Sequence, residues 1–457
     1  MRERETLDPQ EVHVRKGRGV TVLPVSTDKN NDLLLVPQHF GSTVYCRQSS
    51  RYYPFDRETT RLLTSLKSRS LPDILQTVTS VEERRSIAGF YREFYSRGFF
   101  TVDHRFAGDI LDIEPPKNHL AAPMTVHLEI SASCNLSCRH CFAGKFTRSG
   151  TDPLSLAELD TLFTSLSRTG SFRLGLTGGE PLMREDLLEI IDLAIARGLS
   201  PCLTTNGLLI TEEIARELGK RNLVWLNVSV EGPDRESHEA IRGKDTFERL
   251  LDKLALLKRY ARFSLAFTVT KRNYLRVQEC VNLARATGAS AAVFRPLYPI
   301  GTALDHPELL LGFQDYLEAL NMLAKASSSP GSSNQVFKSD HPWGPETRMN
   351  SSSVLYTNFG CGAGNLTCSI SVTGDVSPCS FLGPEYTAGN LKERSFDEIW
   401  NESTVFNKFR ALEGNETCLS CRVFSSCHGG CRARALSLNN GINLPDPWCV
   451  AVERKRS

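Results

Sequence analysis

The sequence predicts an α/β protein whose centre is a partial (β/α)6 TIM-type barrel, preceded by a small strand-and-helix unit and followed by a cysteine-rich region. Three observations carry this. Between residues 124 and 300, six apolar segments of strand length alternate with amphipathic stretches of helix length, the pattern of βαβ units on a parallel sheet. That region is shorter than the roughly 250 residues of an eight-unit barrel, so the barrel is expected to stay incomplete. The fourteen cysteines, finally, are not scattered: three fall between 134 and 141 and seven between 361 and 431.

Composition narrows the function classes. The chain of 457 residues is 40% hydrophobic and 23% charged, which excludes a disordered, collagenous or coiled-coil chain. Its 54 basic and 52 acidic residues leave a net charge of +2, so no global field exists to capture nucleic acid. No apolar run approaches the roughly 18 residues of a membrane span. The start, MRERETLDPQ, lacks the apolar centre of a signal peptide. A soluble cytoplasmic chain with no membrane or nucleic-acid partner is therefore expected. In that compartment clustered cysteines point to metal rather than to a disulfide framework.

Residues 20–105 read as a separate unit. TVLPV and LLLVP suggest strands split by the turn-forming DKNND. Two helical patterns follow, RETTRLLTSLKS and VEERRSIAGFYREFYSRG, the second ending at Gly98 before FFTVD. The prolines at 115, 116 and 123 mark 106–123 as a linker. In the core, 124–300, strands are expected near VHLEI, FRLGLT, PCLTT, LVWLNVSV, FSLAFTVT and AAVFRP. Helices are expected near 155–168, 184–198, 211–219, 245–259 and 274–287, the first opened by a capping box of Ser155 and Glu158. Residues 301–354 read as a bridging helix and linker, with the Ser-, Gly- and Pro-rich stretch 326–353 as loop. Residues 355–457 form the cysteine-rich end.

Directly after VHLEI, Cys134, Cys138 and Cys141 stand in a C-x3-C-x2-C spacing. Three thiolates on one tight loop can hold three corners of a [4Fe–4S] cube, leaving one iron open. Structural zinc takes four closed ligands, and His140, adjacent to Cys141, is badly placed to wrap the same ion. Further on, Cys361, Cys368 and Cys379 are followed by Cys418, Cys421, Cys427, Cys431 and Cys449, enough for two four-ligand sites. Zinc remains the alternative for the Cys418–Cys421 pair. Cys46, Cys202 and Cys280 lie in element-like segments and read as buried thiols.

With these motifs the sequence resembles the radical S-adenosylmethionine (radical SAM) enzymes. The likeness continues through Thr177-Gly178-Gly179-Glu180-Pro181 after the second strand, Thr205-Asn206-Gly207 after the third, Ser229-Val230-Glu231-Gly232-Pro233 after the fourth, and Arg242-Gly243. A parallel barrel brings all of these strand ends to one face. The resemblance implies that the backbone around Gly178, Gly179 and Glu180 binds the methionine amino group, that Arg242 pairs with the SAM carboxylate, and that Asn206 and Ser229 add polar contacts. Two positions depart from the family pattern: Glu231 stands where Asp is usual, and His140 where an aromatic residue is. Each position also has a plain reading, the glycines as a strand-end turn and Arg242 as a surface charge.

The C-terminal spacing resembles the SPASM extension of these enzymes. The resemblance implies two auxiliary [4Fe–4S] clusters, one on Cys361, Cys368, Cys379 and Cys431 and the other on Cys418, Cys421, Cys427 and Cys449. If Cys368 is not a ligand, one auxiliary iron is open. The N-terminal unit resembles the winged-helix, PqqD-like peptide-recognition element of peptide maturases, which would bind a leader peptide by adding a strand to a sheet edge; a scaffold or dimerisation unit is the alternative. The implied function is an oxidoreductase that cleaves SAM to a 5′-deoxyadenosyl radical and cross-links or oxidises a ribosomally made peptide or protein, with an electron donor such as flavodoxin or ferredoxin. The alternatives are modification of a small cofactor such as a haem precursor, and a non-catalytic iron–sulfur or zinc protein. No general acid or base is legible.

Overall fold

The structure, a computed structural model, describes residues 32–144, 152–327, 336–339, 361–411, 416–421, 424–427 and 429–449. The chain forms two compact units, Met1–Glu114 and Pro115–Ser457. The strand expected at TVLPV and most of 326–353 lie outside the described residues.

In the first unit β1 (Leu33–Gln38), β2 (Gly41–Cys46) and β3 (Arg51–Asp56) make an antiparallel meander. The short β4 (Asp109–Ile110) returns parallel to β1, giving the order β3-β2-β1-β4. Leu33, Leu35, Val44 and Phe55 turn one face of the sheet onto Leu63, Leu66, Ile74, Phe94, Phe99 and Phe106. The helices Arg57–Ser68 and Val81–Tyr95 begin where Asp56 and Ser80 accept the Thr59 and Glu83 amides. A third helix, Leu71–Thr77, is too short to show a period, although its Ser70–Asp73 capping box is a start signal.

The second unit is built on six parallel strands that neighbour one another in chain order: β5 (Thr125–Ser131), β6 (Arg173–Gly178), β7 (Ser200–Thr205), β8 (Trp225–Val230), β9 (Ser264–Val269) and β10 (Ala291–Pro296). The crossovers contain the helices Leu156–Thr169, Leu187–Ala196, Glu212–Lys220, Arg235–Arg242, Phe247–Tyr260 and Val277–Thr287. β6 alternates, with Leu174 and Leu176 fully buried and Arg173, Gly175 and Thr177 half-buried on the other face, whereas β10 buries Ala291 to Phe294 in succession.

Among the described residues the sheet does not close into a barrel. β11 (Val336–Ser339) adds parallel to β10, and β12 (Thr367–Ile370) adds parallel to β5. β13 (Asp375–Ser377) and β14 (Gly389–Asn390) continue antiparallel to make ten strands. β11 falls in the stretch read as loop, where the surrounding Ser, Gly and Pro mask a four-residue run. The cysteine-rich region thus shares hydrogen bonds with the core. No helix among the described residues is long and apolar enough to cross a membrane.

Candidate metal centre at the carboxyl ends of the strands

The first cysteine loop leaves β5 and is fixed by its neighbours' backbone. The Cys141 amide donates to the Cys138 carbonyl at 3.3 Å. The Thr302 hydroxyl donates to the Cys138 carbonyl (3.1 Å) and its amide to the Cys141 carbonyl (3.0 Å). Gly301 has φ +62°, and a methyl group there would lie 2.3 Å from the carbonyl oxygens of Cys141 and Phe142, so the loop requires glycine at this contact. Burial pushes the Cys138 thiol up to about 11 and raises Cys134 as well.

Thiols so shifted stay protonated at neutral pH until a metal displaces the proton. Among the described residues, no three Cys, His, Asp or Glu side chains gather as one metal ion would require. A single zinc needs every sulfur about 2.3 Å from one point, whereas a cube offers separate irons to separate thiolates. Three thiols carried on one loop fit a cube, which meets each of them with a separate iron.

The end of β6 packs directly onto this loop. The Gly179 amide donates to Ser131 O (2.7 Å) and the Glu180 amide to Ser133 O (2.8 Å). Gly178 has φ +141°, and a methyl at Gly179 would sit 2.2 Å from Ser133 O. The glycines therefore serve the turn reading of the sequence, and what they turn against is the cysteine loop. Glu180, 1% exposed, accepts from the Thr205 hydroxyl (2.5 Å) and the amides of Asn206 (2.7 Å) and Leu182 (3.1 Å). Burial outweighs these bonds and raises its carboxyl above the usual value. Asn206 donates to the Asn135 side chain at 2.7 Å, tying β7 to the loop between Cys134 and Cys138. Ser229 is half-buried on β8.

Arg242 is not a surface charge. Its Nε and Nη2 both donate to Glu231 Oε1, at 2.9 and 2.6 Å, and Cys138 and Glu180 are titratable neighbours. His140 Nε2 lies 3.0 Å from the same oxygen. The two departures from the family pattern are thus in contact. Burial alone would raise Glu231, but the His140 ring and the Arg242 guanidinium beside it hold its carboxyl well below the ordinary range.

Three of the later cysteines also meet. Cys379 and Cys431 each feel Cys361, and burial pushes both up to about 12. Phe381 packs tilted against Tyr298 at 4.6 Å and meets Phe142 edge-on at 5.5 Å, so aromatic rings link this group to the residue after Cys141. Cys427 lies beside Cys449 and is pushed up to about 11 by burial. Cys418 and Cys421 share a turn, Cys421 N to Cys418 O at 3.0 Å.

Cys368, expected with Cys361, Cys379 and Cys431, is not brought to them. It sits in β12 opposite Val126, fully buried, and the pleat sends it to the face away from Ser369 and His127. Its neighbouring charge is Arg410, whose Nη1 and Nη2 are buried without partners.

Sequence reasoning quoted Thr205 without giving it a role, and missed Thr302 and the buried pair Arg434–Asp446, in which Nε–Oδ1 is 2.6 Å and Nη2–Oδ2 is 2.7 Å. Asp446 also accepts the Cys431 amide at 2.7 Å, and its carbonyl accepts the Cys449 amide at 2.8 Å. The available signal was an acidic residue three positions before a clustered cysteine.

Comparison with known proteins agrees with this geometry. The model of the radical SAM superfamily matches residues 128–284, and that of SPASM, an iron–sulfur cluster-binding domain, matches 361–423. The chain is 32% identical over 341 residues to an AdoMet-dependent heme synthase of Oleidesulfovibrio alaskensis, covering 72% of this chain and 87% of that one. It is 30% identical over 350 residues to the mycofactocin maturase MftC of Mycobacterium tuberculosis, covering 74% and 85%. Among solved structures, SuiB of Streptococcus suis bound to S-adenosylmethionine superposes with TM-score 0.70 at 16% identity, over 92% of this chain and 99% of that one. SuiB bound to its precursor peptide SuiA superposes with TM-score 0.69 over 91% and 98%.

Proposed function

This chain belongs to the radical SAM superfamily and carries a SPASM iron–sulfur domain, and from that premise we propose that it matures a ribosomally made peptide or protein by cross-linking or oxidising a side chain. It is an enzyme that uses S-adenosylmethionine and [4Fe–4S] clusters. When bound, a cluster on Cys134, Cys138 and Cys141 supplies the electron that splits S-adenosylmethionine to a 5′-deoxyadenosyl radical. Cys361, Cys379 and Cys431 are the proposed ligands of one auxiliary cluster, and Cys418, Cys421, Cys427 and Cys449 of the other. The backbone of Gly178–Glu180, with Asn206, Ser229 and Arg242, is the proposed cradle for the sulfonium compound.

The observation that carries the reading is the placement of Cys361, Cys379 and Cys431 one aromatic step from the first loop. An electron acceptor there suits a net oxidation of substrate. The peptide half of the proposal draws on the first unit. β3 ends its sheet among the described residues, and an edge strand offers the unpaired backbone groups that an added strand uses. The fold likeness to SuiB reaches this unit as well, since its uncovered 8% is shorter than the described stretch 32–114. Residues 20–105 are thus proposed as the peptide-recognition domain, followed by the core at 124–300, the bridge at 301–354 and the SPASM domain at 355–457. An external flavodoxin or ferredoxin is the proposed reductant, and the cytoplasm the proposed location.

The heme synthase relative at 32% identity supports a second reading, modification of a haem precursor. One experiment separates them. Protein reconstituted without oxygen is given reductant, S-adenosylmethionine and either a co-expressed candidate peptide or the porphyrin. A peptide that loses hydrogen mass, with matching 5′-deoxyadenosine, supports maturation. Turnover of the porphyrin, with the peptide unchanged, refutes it.

A further inference from the structure

His140 and Glu231 are far apart in sequence, yet their side chains share one hydrogen bond in the first site. A carboxylate only accepts, so His140 Nε2 carries the proton and donates. Glu231 is completely buried, and its backbone is fixed on both sides. Its amide donates to His238 Nδ1 (3.3 Å), and its carbonyl accepts from Asn273 Nδ2 (2.9 Å). Its second oxygen accepts the Thr268 amide at 3.3 Å.

With the main chain held, the length of the side chain decides what it reaches. Glu231 Oε1 spans His140 on one side and the Nε and Nη2 of Arg242 on the other. Aspartate, shorter by one carbon–carbon bond of about 1.5 Å, cannot hold both. Because Nε and Nη2 meet a single oxygen, the plane of the Arg242 guanidinium is fixed. Its Nη1 has no partner among the described residues and stands among groups that include Cys138 and Glu180. His140 carries a cost of its own, a buried Nδ1 with no partner, which an aromatic hydrocarbon ring would not incur.

We propose that His140 and Glu231 are a matched pair that sets the Arg242 guanidinium for the carboxylate of S-adenosylmethionine, making both of them positioning residues. This rests on the reading of Arg242 as the carboxylate's partner. Shortening Glu231 alone strands the His140 N–H; removing the imidazole alone leaves the long carboxylate with one anchor fewer. Changing both removes the His140 N–H together with the reach toward it, so neither side is left stranded, which costs far less than leaving one group unpaired.

The test is a double-mutant cycle on the reconstituted enzyme: His140→Phe, Glu231→Asp and the double variant, with Arg242→Met alongside. The readout is the affinity for S-adenosylmethionine, taken from the change it causes in the electron paramagnetic resonance spectrum of the reduced cluster. Spin counts and iron per chain restrict the comparison to cluster-loaded protein. Each single variant is expected to bind roughly tenfold more weakly, and the double variant no more weakly than either single. Multiplying effects, roughly a hundredfold in the double variant, or single variants that bind like the wild type, overturn the proposal while leaving the role of Arg242 intact. An Arg242→Met protein with unchanged affinity removes the Arg242 reading and the proposal with it.

Discussion

Replacing Gly179 with alanine is the sharpest test of how the first cysteine loop is held. The new methyl group would lie 2.2 Å from Ser133 O and 2.6 Å from its carbonyl carbon, and side-chain carbons do not come closer than 3.0 Å to such atoms. The two backbones must therefore separate by about 0.8 Å, which forfeits about a quarter to a half of a van der Waals well and stretches the neighbouring bonds. Those bonds are Gly179 N to Ser131 O at 2.7 Å and Glu180 N to Ser133 O at 2.8 Å. Losing two of them costs about 2 kcal/mol, and the strain of overpacking adds about 1–3 kcal/mol. The displaced partner is the segment leading into Cys134, so the cost falls on cluster assembly before it reaches the global fold. The assay is iron and sulfide per chain after anaerobic reconstitution, with a thermal melt as control. A variant that keeps its fold but lacks the iron of one cluster is the expected result. Full iron content together with undiminished 5′-deoxyadenosine formation would refute the reasoning.

Cys368→Ala is expected to keep the auxiliary iron that Cys379→Ala loses, measured as iron per chain, because Cys368 is buried beside Arg410 rather than with Cys361, Cys379 and Cys431. Arg434→Met leaves Asp446 buried without its counter-ion, and breaking such a pair costs about 3–5 kcal/mol; urea denaturation should show the loss, and an unchanged midpoint would contradict it. Burial lowers His238 to about 4 from its usual 6.5. The unfolded chain therefore binds a proton that the folded chain refuses between those two values. Stability is complete above the higher value and falls as pH drops through the window, by up to about 3 kcal/mol. Urea midpoints measured across that range should decline in the wild type and less in His238→Gln; parallel slopes would remove the assignment.

The core was legible because its signals are local and repeated. AAVFRP matches β10 residue for residue, and the Ser155–Glu158 capping box opens its helix as expected. The C-x3-C-x2-C spacing was legible because one loop holds all three thiols. What sequence could not carry was contact at long range. His140 and Glu231 read only as two separate departures from the family pattern, since nothing in linear order says that a longer acid at one site reaches the other. Cys368 read as a ligand because spacing records that a cysteine is near others along the chain, not which side of a strand it occupies. Leu71–Thr77 and β11 are each shorter than two helical turns or a typical strand, too brief for a hydrophobic period to stand out.

The bond ladder between β5 and β12 also limits how the protein can be rebuilt. Thr367–Ile370 lies in register against Thr125–Leu128, so the SPASM segment supplies the flank of the strand that launches the first cysteine loop. A hybrid joined just before residue 361, with the C-terminal region borrowed from a relative, would exchange a structural neighbour of the active loop along with its iron sites. Grafts that carry β5 and β12 together preserve that seam; those that divide them leave a raw strand margin open to self-association.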